Sequence, residues 1–432
     1  MSIETIQPFK CKGQWWLPEK PDERVSGILN YVPQDGASLE LLGSFSDSVA
    51  VLTGSFAPPI VLGNSDQGLV TLHDCIQTQS TIGSTNSSNF KVRNVLLGSH
   101  FSSETDIKFE KLFVRYSSLD EWVNWSGFDK KVLVENVHPP LKRLNVVYEF
   151  PPSVEAALSA DCRISIHFQA NPPTLTFHQK EACIVQQNYV GLAFASQRNL
   201  RDCYETLFHL RNFLTLGISA PIYSLELRGN VEDLKEPISI FSEQQYLPEE
   251  LKPVQPFKML FKFDDVAVKF ALFLKNWYSK RISLKTVYEL YFALVYNPHM
   301  YTDDRFLNMC RALEAYHKAT INSKRINLRV RLNEIVDICL SVASTFIADK
   351  NAFLKTVMDT RNHLTHPSAK PKTNAVSGNA LFFAAEQLRL LVEICLLTEA
   401  GFTIDEIDGL FATNDRHQQL IQLLRQQTMQ TT

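Results

Sequence analysis

Apolar and polar positions follow one rhythm in the first half of the chain and another in the last third. From Cys11 to about Tyr116, short runs rich in Val, Leu and Phe are separated by turn residues, a pattern of strands. Asp35 and Gly36 lie between two such runs and read as a hairpin turn, because both tolerate the positive φ it needs. Candidate strands are 39–42, 60–62 and 69–72, then, after Pro139 and Pro140, 144–150, 163–168 and 174–177. The polar stretch 77–89 has no period and reads as a surface loop, and 119–125 reads as a short amphipathic helix. Residues 197–216 are expected to form a helix ended by Gly217, with 223–227 a final strand. Trp15 and Trp16, adjacent on a strand, must face opposite sides, one in the core and the other over an edge or pocket.

After residue 257 the period becomes helical. Aromatic-rich segments at 263–278 and 283–296 precede four helices at 303–318, 327–346, 353–366 and 380–400. Short polar connectors between them suit an antiparallel bundle, with Asp303 in a first turn and Gly401 as a stop. The expected architecture is α+β and multidomain: a β-rich region over 1–235, a docked linker and helical connector over 236–300, and an all-α bundle over 301–432. The Gln-rich tail from Asn414 fits either a final helix at a dimer interface or a disordered end.

Composition narrows the classes. The chain has 432 residues, 45% hydrophobic and 21% charged, enough for two or three domains. A net charge of −3 gives no global pull toward nucleic acid, so any RNA contact must come from a local patch. Eight scattered cysteines show neither a CxxC pair nor zinc-ligand spacing, and together with the lack of a leader-like start they suggest a reduced, cytoplasmic protein. The most apolar long stretch, 381–402, contains Glu386, Arg389, Glu393 and Glu399, which argues against a membrane span. No Gly-rich phosphate loop is present, and no cofactor is expected.

The strongest chemical signal is the run Arg361 to Pro367. A stripe at helical spacing reads Phe353, Val357, Arg361, Leu364, so a cation falls where an apolar side chain belongs. A guanidinium there needs a carboxylate, a phosphate or an opening to water. Asn362 and His366, four apart, share a helix face that Arg361 flanks, and Pro367 stops the helix at His366. Glu314 on the first bundle helix is the candidate structural partner of Arg361. His363 and His366 have metal-ligand spacing, but no adjacent acid completes a site. His317 could approach the same cleft, and Lys324, Arg325, Arg329 and Arg331 form the densest basic cluster, either a solvated face or a set of phosphate contacts.

Arg361-Asn362-xxx-His366 resembles the R-polar-xxx-H ribonuclease motif of HEPN domains. Residues 306–317, Phe-Leu-Asn-Met-Cys-Arg-Ala-Leu-Glu-Ala-Tyr-His, resemble the first helix of the ApeA-like HEPN subgroup, and 13–19 with Gly27 and 39–43 are similar to the β-rich domain that precedes its bundle. The resemblance covers both ends of the chain and thins between about 130 and 300. It implies a metal-independent endoribonuclease of bacterial antiphage defence, acting by abortive infection. RNA, with tRNA a reasonable substrate, would be cut by 2′-hydroxyl attack at a composite site of a homodimer. By the same resemblance Arg361, Asn362 and His366 are the catalytic residues; if RNA binds the bundle, Lys324, Arg325, Arg329 and Arg331 are the first candidates for phosphate contacts, and His363 is an exposed neighbour or a secondary RNA contact. The N-terminal domain would sense a phage-derived trigger or restrain the bundle. The competing reading is a catalytically silent module that dimerises or binds nucleotide, with a partner-recognising β domain.

Overall fold

The computed structural model describes residues 4–45, 56–81, 86–129, 146–171, 183–366 and 374–431, with side chains to 426. Two compact units form, one of Met1–Thr206 and Ile222–Pro253, the other of Leu207–Pro221 and Val254–Thr432.

The first unit is built from β1 (Phe9–Trp16), β2 (Val25–Val32), β3 (Gly36–Leu41), β4 (Ile60–Ser65), β5 (Gly68–Thr81), β6 (Ser87–Leu97), β7 (Lys108–Tyr116), α1 (Leu119–Val123), β8 (Val154–Ser159), β9 (Cys162–Asn171), β10 (Val185–Asn199), β11 (Ser224–Asn230) and β12 (Ile238–Ser242). Helix α2 (Leu200–Ile218) starts in this unit and continues into the second. Among the described residues these strands pair into one antiparallel sheet, in the order β3-β2-β1-β4-β5-β6-β12-β11-β7-β10-β9-β8. β5 takes one edge of β6 along most of its length. The other edge is divided: β3 pairs with its first half, at Leu39 and Phe90, and β12 with its second, at Phe241 and Val95. The first pairing closes β1 to β6 into a barrel, and the second carries the sheet onward.

Period-two burial sets the barrel core. On β1, Cys11 and Trp15 are buried while Lys10, Lys12 and Gln14 face water. Trp15 lies against Gly63 of β4, where an added Cβ would come within 2.3 Å of the indole, so only glycine fits opposite it. Trp16 faces the other way, edge-on to His100 at 5.3 Å and under the Arg24 guanidinium at 4.6 Å. The expected turn at Asp35-Gly36 joins β2 to β3, with Gly36 at φ +79°.

Several expectations are corrected. The polar stretch read as a loop at 77–89 is mostly strand, because Gln77 pairs with Phe90 and Thr81 with Ser87 across a bulged hairpin; residues 82–85 lie outside the described ones. Of the expected strand 144–150, the described part makes a lone bridge, Phe128 with Tyr148, and 174–177 lies outside the described residues. The helix expected from 197 begins at Leu200, since β10 runs through Asn199, paired there with Lys108 of β7. It passes Gly217 and ends at Ser219, which adopts the left-handed φ of +62°. The segment 236–300 supplies β12 to the sheet and helices to the second unit.

The second unit contains α3 (Phe263–Val266), α4 (Phe270–Ser279), α5 (Lys285–Tyr296), α6 (Thr302–Thr320), α7 (Leu328–Ile338), α8 (Leu340–Ala343), α9 (Lys350–Thr365), α10 (Gly378–Ala400), α11 (Ile404–Thr413) and α12 (Asp415–Thr431). The later turns of α2 belong here: the Trp277 indole donates to the His209 carbonyl at 2.9 Å, and Phe213 packs against Trp277 and Phe261. The helix expected over 327–346 breaks at Cys339, whose backbone leaves helical geometry at φ −112°, ψ 27°. Gly401 ends α10 in the left-handed conformation, as expected, and the tail from Asn414 is helical.

Three of the charges on α10, Glu386, Arg389 and Glu393, are buried. Arg389 bridges Glu386 at 2.8 Å and Glu393, and Glu393 also accepts from the Tyr291 hydroxyl at 2.7 Å and from His417 at 2.9 Å. Burial alone would raise the Glu393 carboxyl, but Arg389, His417 and Tyr291 outweigh it and hold the group at about 2. No helix among the described residues is long and apolar enough to cross a membrane.

Candidate functional site

α9 carries the motif. Its start is fixed by Asp349, whose carboxylate accepts the Ala352 N–H at 3.0 Å. The helix ends at Thr365, with His366 as an exposed C-cap at φ −136°, ψ 75°; Pro367 lies outside the described residues. The buried stripe is Phe353, Leu354, Val357 and Thr360. Thr360 takes the inward position expected of Arg361, and its hydroxyl accepts the Val376 N–H at 3.0 Å just before α10. The spacing 353, 357, 360 is as good a helical stripe as 353, 357, 361, which is why the sequence alone did not separate them.

Arg361 is therefore half-buried at the edge of the stripe rather than on it. Its Nη1 donates to Asn362 Oδ1 at 3.3 Å, and its carbonyl accepts from the Thr365 hydroxyl. Among the described residues no carboxylate pairs with it, and Glu314 does not close on it. Arg361 and Glu314 both bear on the Cys310 thiol of α6, which burial pushes far up, with Arg361 pulling it down and Glu314 raising it. The His366 N–H donates to the Asn362 carbonyl at 2.9 Å, which sets the imidazole one turn beyond Asn362 on the same side. His363 is half-buried, and its Nδ1 is enclosed with no hydrogen-bond partner among the described residues. With Nδ1 enclosed, contact with a ligand falls to the other ring nitrogen, Nε2.

The basic cluster divides. Lys324, Arg325 and Arg329 are exposed. Arg331, expected beside them, is 3% exposed: Nη1 donates to His317 Nδ1 at 2.8 Å and to the Asn322 carbonyl, and Nη2 donates to the Lys324 carbonyl at 2.7 Å. It is a strut of the α6–α7 turn and is out of reach of a ligand. His317, expected near the cleft, is wholly buried between Arg331 and Glu334. Lys350 Nζ on Asp337 ties the end of α7 to the start of α9, so α9 runs back along α7 from a common corner. No group of three His, Cys, Asp or Glu among the described residues could hold a metal ion.

Chemically, the surface offers a guanidinium with no carboxylate partner among the described residues, an amide held beside it and a solvent-facing imidazole one turn away. Residues 10–277 match the family described as ApeA N-terminal domain 1, well past the N-terminal residues that carry the resemblance in the sequence. Residues 307–406 match Apea-like HEPN, a span that contains Arg361, Asn362 and His366. No curated protein and no solved structure matches the chain. With the first family covering more than half of the chain and the second following it along the helices, the chain belongs to the ApeA-type HEPN proteins.

Proposed function

We propose that this chain is a metal-independent endoribonuclease of bacterial antiphage defence, cutting RNA with Arg361, Asn362 and His366. ApeA-type and HEPN domains suggest a nuclease-like role in antiphage defence in general. The observation that carries the specific reading is the half-buried Arg361 with no carboxylate partner among the described residues. A guanidinium so placed suits the non-bridging oxygens of a phosphate. In the proposed reaction the RNA 2′-oxygen bonds to phosphorus as the P–O5′ bond breaks, giving a 2′,3′-cyclic phosphate and a 5′-hydroxyl. Arg361 stabilises the charge that builds on the phosphorane, and Asn362 steadies the guanidinium. His366 moves a proton, the part an imidazole most often plays in acid–base catalysis.

One histidine cannot both take the 2′-proton and protonate O5′ in the same step. HEPN domains commonly act as dimers on RNA, and a homodimer supplies the second His366 to a composite cleft. Lys324, Arg325 and Arg329 serve as sequence-independent phosphate contacts, with His363 offering a single nitrogen. Structured RNA such as tRNA is the proposed substrate, and the β-rich unit senses the phage-derived trigger or restrains the bundle. The test is RNA cleavage in EDTA by wild type, Arg361→Ala and His366→Ala, with the product ends typed. Cleavage by wild type alone, leaving cyclic phosphate ends, supports the reading; equal activity in all three removes these residues from catalysis, and no activity in any of them leaves a missing trigger and the silent-module alternative both alive.

A further inference from the structure

A shallow recess of about 540 Å³ lies at the first turns of α6 and α10, lined by Tyr301, Thr302, Asp303, Asn379 and Phe382 among others. Two aromatic rings stand out of the surface there: Tyr301 is 81% exposed and Phe382 41%. Phe382 also stands edge-on to Phe383 at 5.5 Å, and rings left in water beside a recess offer stacking area to a planar ligand. The polar groups are of two kinds. Asp303 and Asn379 line the recess, and among the described residues neither α6 nor α10 has a side-chain cap on its first-turn N–H groups.

The recess is tied to the motif. The Val376 N–H donates to Thr360, the neighbour of Arg361, and Asn374 donates to Asp359. Gly378, on the lip of the recess, is two residues past Val376, about 7 Å of extended chain. The Cys310 thiol that feels Arg361 lies on α6, two turns beyond the recess.

We propose that this recess is a nucleobase subsite, which holds an unpaired base flanking the scissile phosphate between Tyr301 and Phe382. The inference rests on the ribonuclease reading of Arg361 and His366. A stacked base uses both rings, Asn379 and Asp303 meet its hydrogen-bonding edge, and the uncapped N–H groups face the adjoining phosphate. An acidic residue among these groups favours a base edge rich in N–H donors, such as that of guanine, over a bare phosphate.

The test uses a 2′-O-methyl RNA oligonucleotide carrying 2-aminopurine, which cannot undergo 2′-attack and loses fluorescence when the base stacks. Wild type is expected to quench it. Tyr301→Ala and Phe382→Ala are each expected to weaken binding by about tenfold or more, with Tyr301→Phe close to wild type because the ring is kept. Both rings are exposed, so circular dichroism should show all variants folded. Unchanged fluorescence with wild type, or equal binding by the alanine variants, overturns the subsite. So does loss of binding only with conversion of a sedimenting dimer to monomer, which would make the patch a contact between copies. Quenching by wild type beside equal cleavage of natural RNA by wild type, Arg361→Ala and His366→Ala sinks the catalytic reading and leaves the subsite standing, and cleavage by wild type alone without quenching does the reverse.

Discussion

Arg331 donates to His317 Nδ1 across 2.8 Å, and His317 passes its Nε2–H to Glu334 at 2.6 Å, so one relay, buried at Arg331 and His317 and open to water at Glu334, joins α6 to α7. With Nδ1 accepting from a guanidinium, the ring's proton sits on Nε2. Arg331→Ala should therefore act on stability. It strands His317 Nδ1 and two loop carbonyls, for a loss on the order of 3 kcal/mol in denaturant unfolding. A variant as stable as wild type would mean that the relay contributes nothing.

The exposed members of the same cluster should behave in the opposite way. Arg325→Glu with Arg329→Glu should change stability by only about 0.5 kcal/mol for each site, yet raise KM for RNA far more than it alters kcat and flatten the dependence of binding on salt. An unchanged salt dependence would take both residues out of the RNA path.

Arg361→Ala separates a structural from a chemical role. With no carboxylate partner among the described residues, its removal strands no buried charge, and the melting midpoint should move by the equivalent of about 1 kcal/mol or less. RNA cleavage by the same protein should fall at least about 100-fold in kcat. A large drop in stability would instead identify a buried ion pair.

Glu393 makes acid stability a readout of the α10 core. Its folded carboxyl, held at about 2 against an ordinary 4.5, stabilises the fold fully above the unfolded value, and that contribution is lost as pH falls from about 4.5 toward 2. Glu393→Gln should cost about 3–5 kcal/mol at neutral pH, because Arg389 and His417 lose a shared anion, and should unfold with a weaker dependence on pH below 4.5. Parallel acid titrations of both proteins, followed by circular dichroism, would check it.

Asp120 has the opposite sign. Burial raises its carboxyl to about 6 from 3.8, against the Asn188 N–H that it accepts at 2.7 Å. The folded state then holds a proton that the unfolded chain releases, so this group's contribution declines as pH rises from about 4 to 6. Asp120→Asn keeps an oxygen for Asn188 and should raise the melting temperature at pH 7 with no gain at pH 4.

What the sequence made legible follows from the range of the forces involved. Asn362, His366 and the end of α9 were readable because helical spacing and a following proline are local signals. The burial of Arg331 was not, because its partners are carbonyls of the 322–324 turn, and the conformation of that turn is set by packing. The same holds for the stretch 77–89 and for the last residues of β10: their Gln, Asn and Ser residues look like loop until a paired strand supplies the ladder. β12 was hidden in a segment read as linker, since five residues carry little period of their own. The exposed pair Tyr301 and Phe382, far apart in the chain, comes together only in three dimensions.

The divided edge of β6 has a consequence for how the first unit can vary. Because one strand serves as a wall of the barrel and as the root of the open sheet, a one-residue slip would turn every β6 side chain to the wrong face in both at once. The two halves are spliced through a shared part, so neither can be duplicated, exchanged or trimmed as a cassette. Changes that keep both pairings therefore fall to the loops that leave the strands.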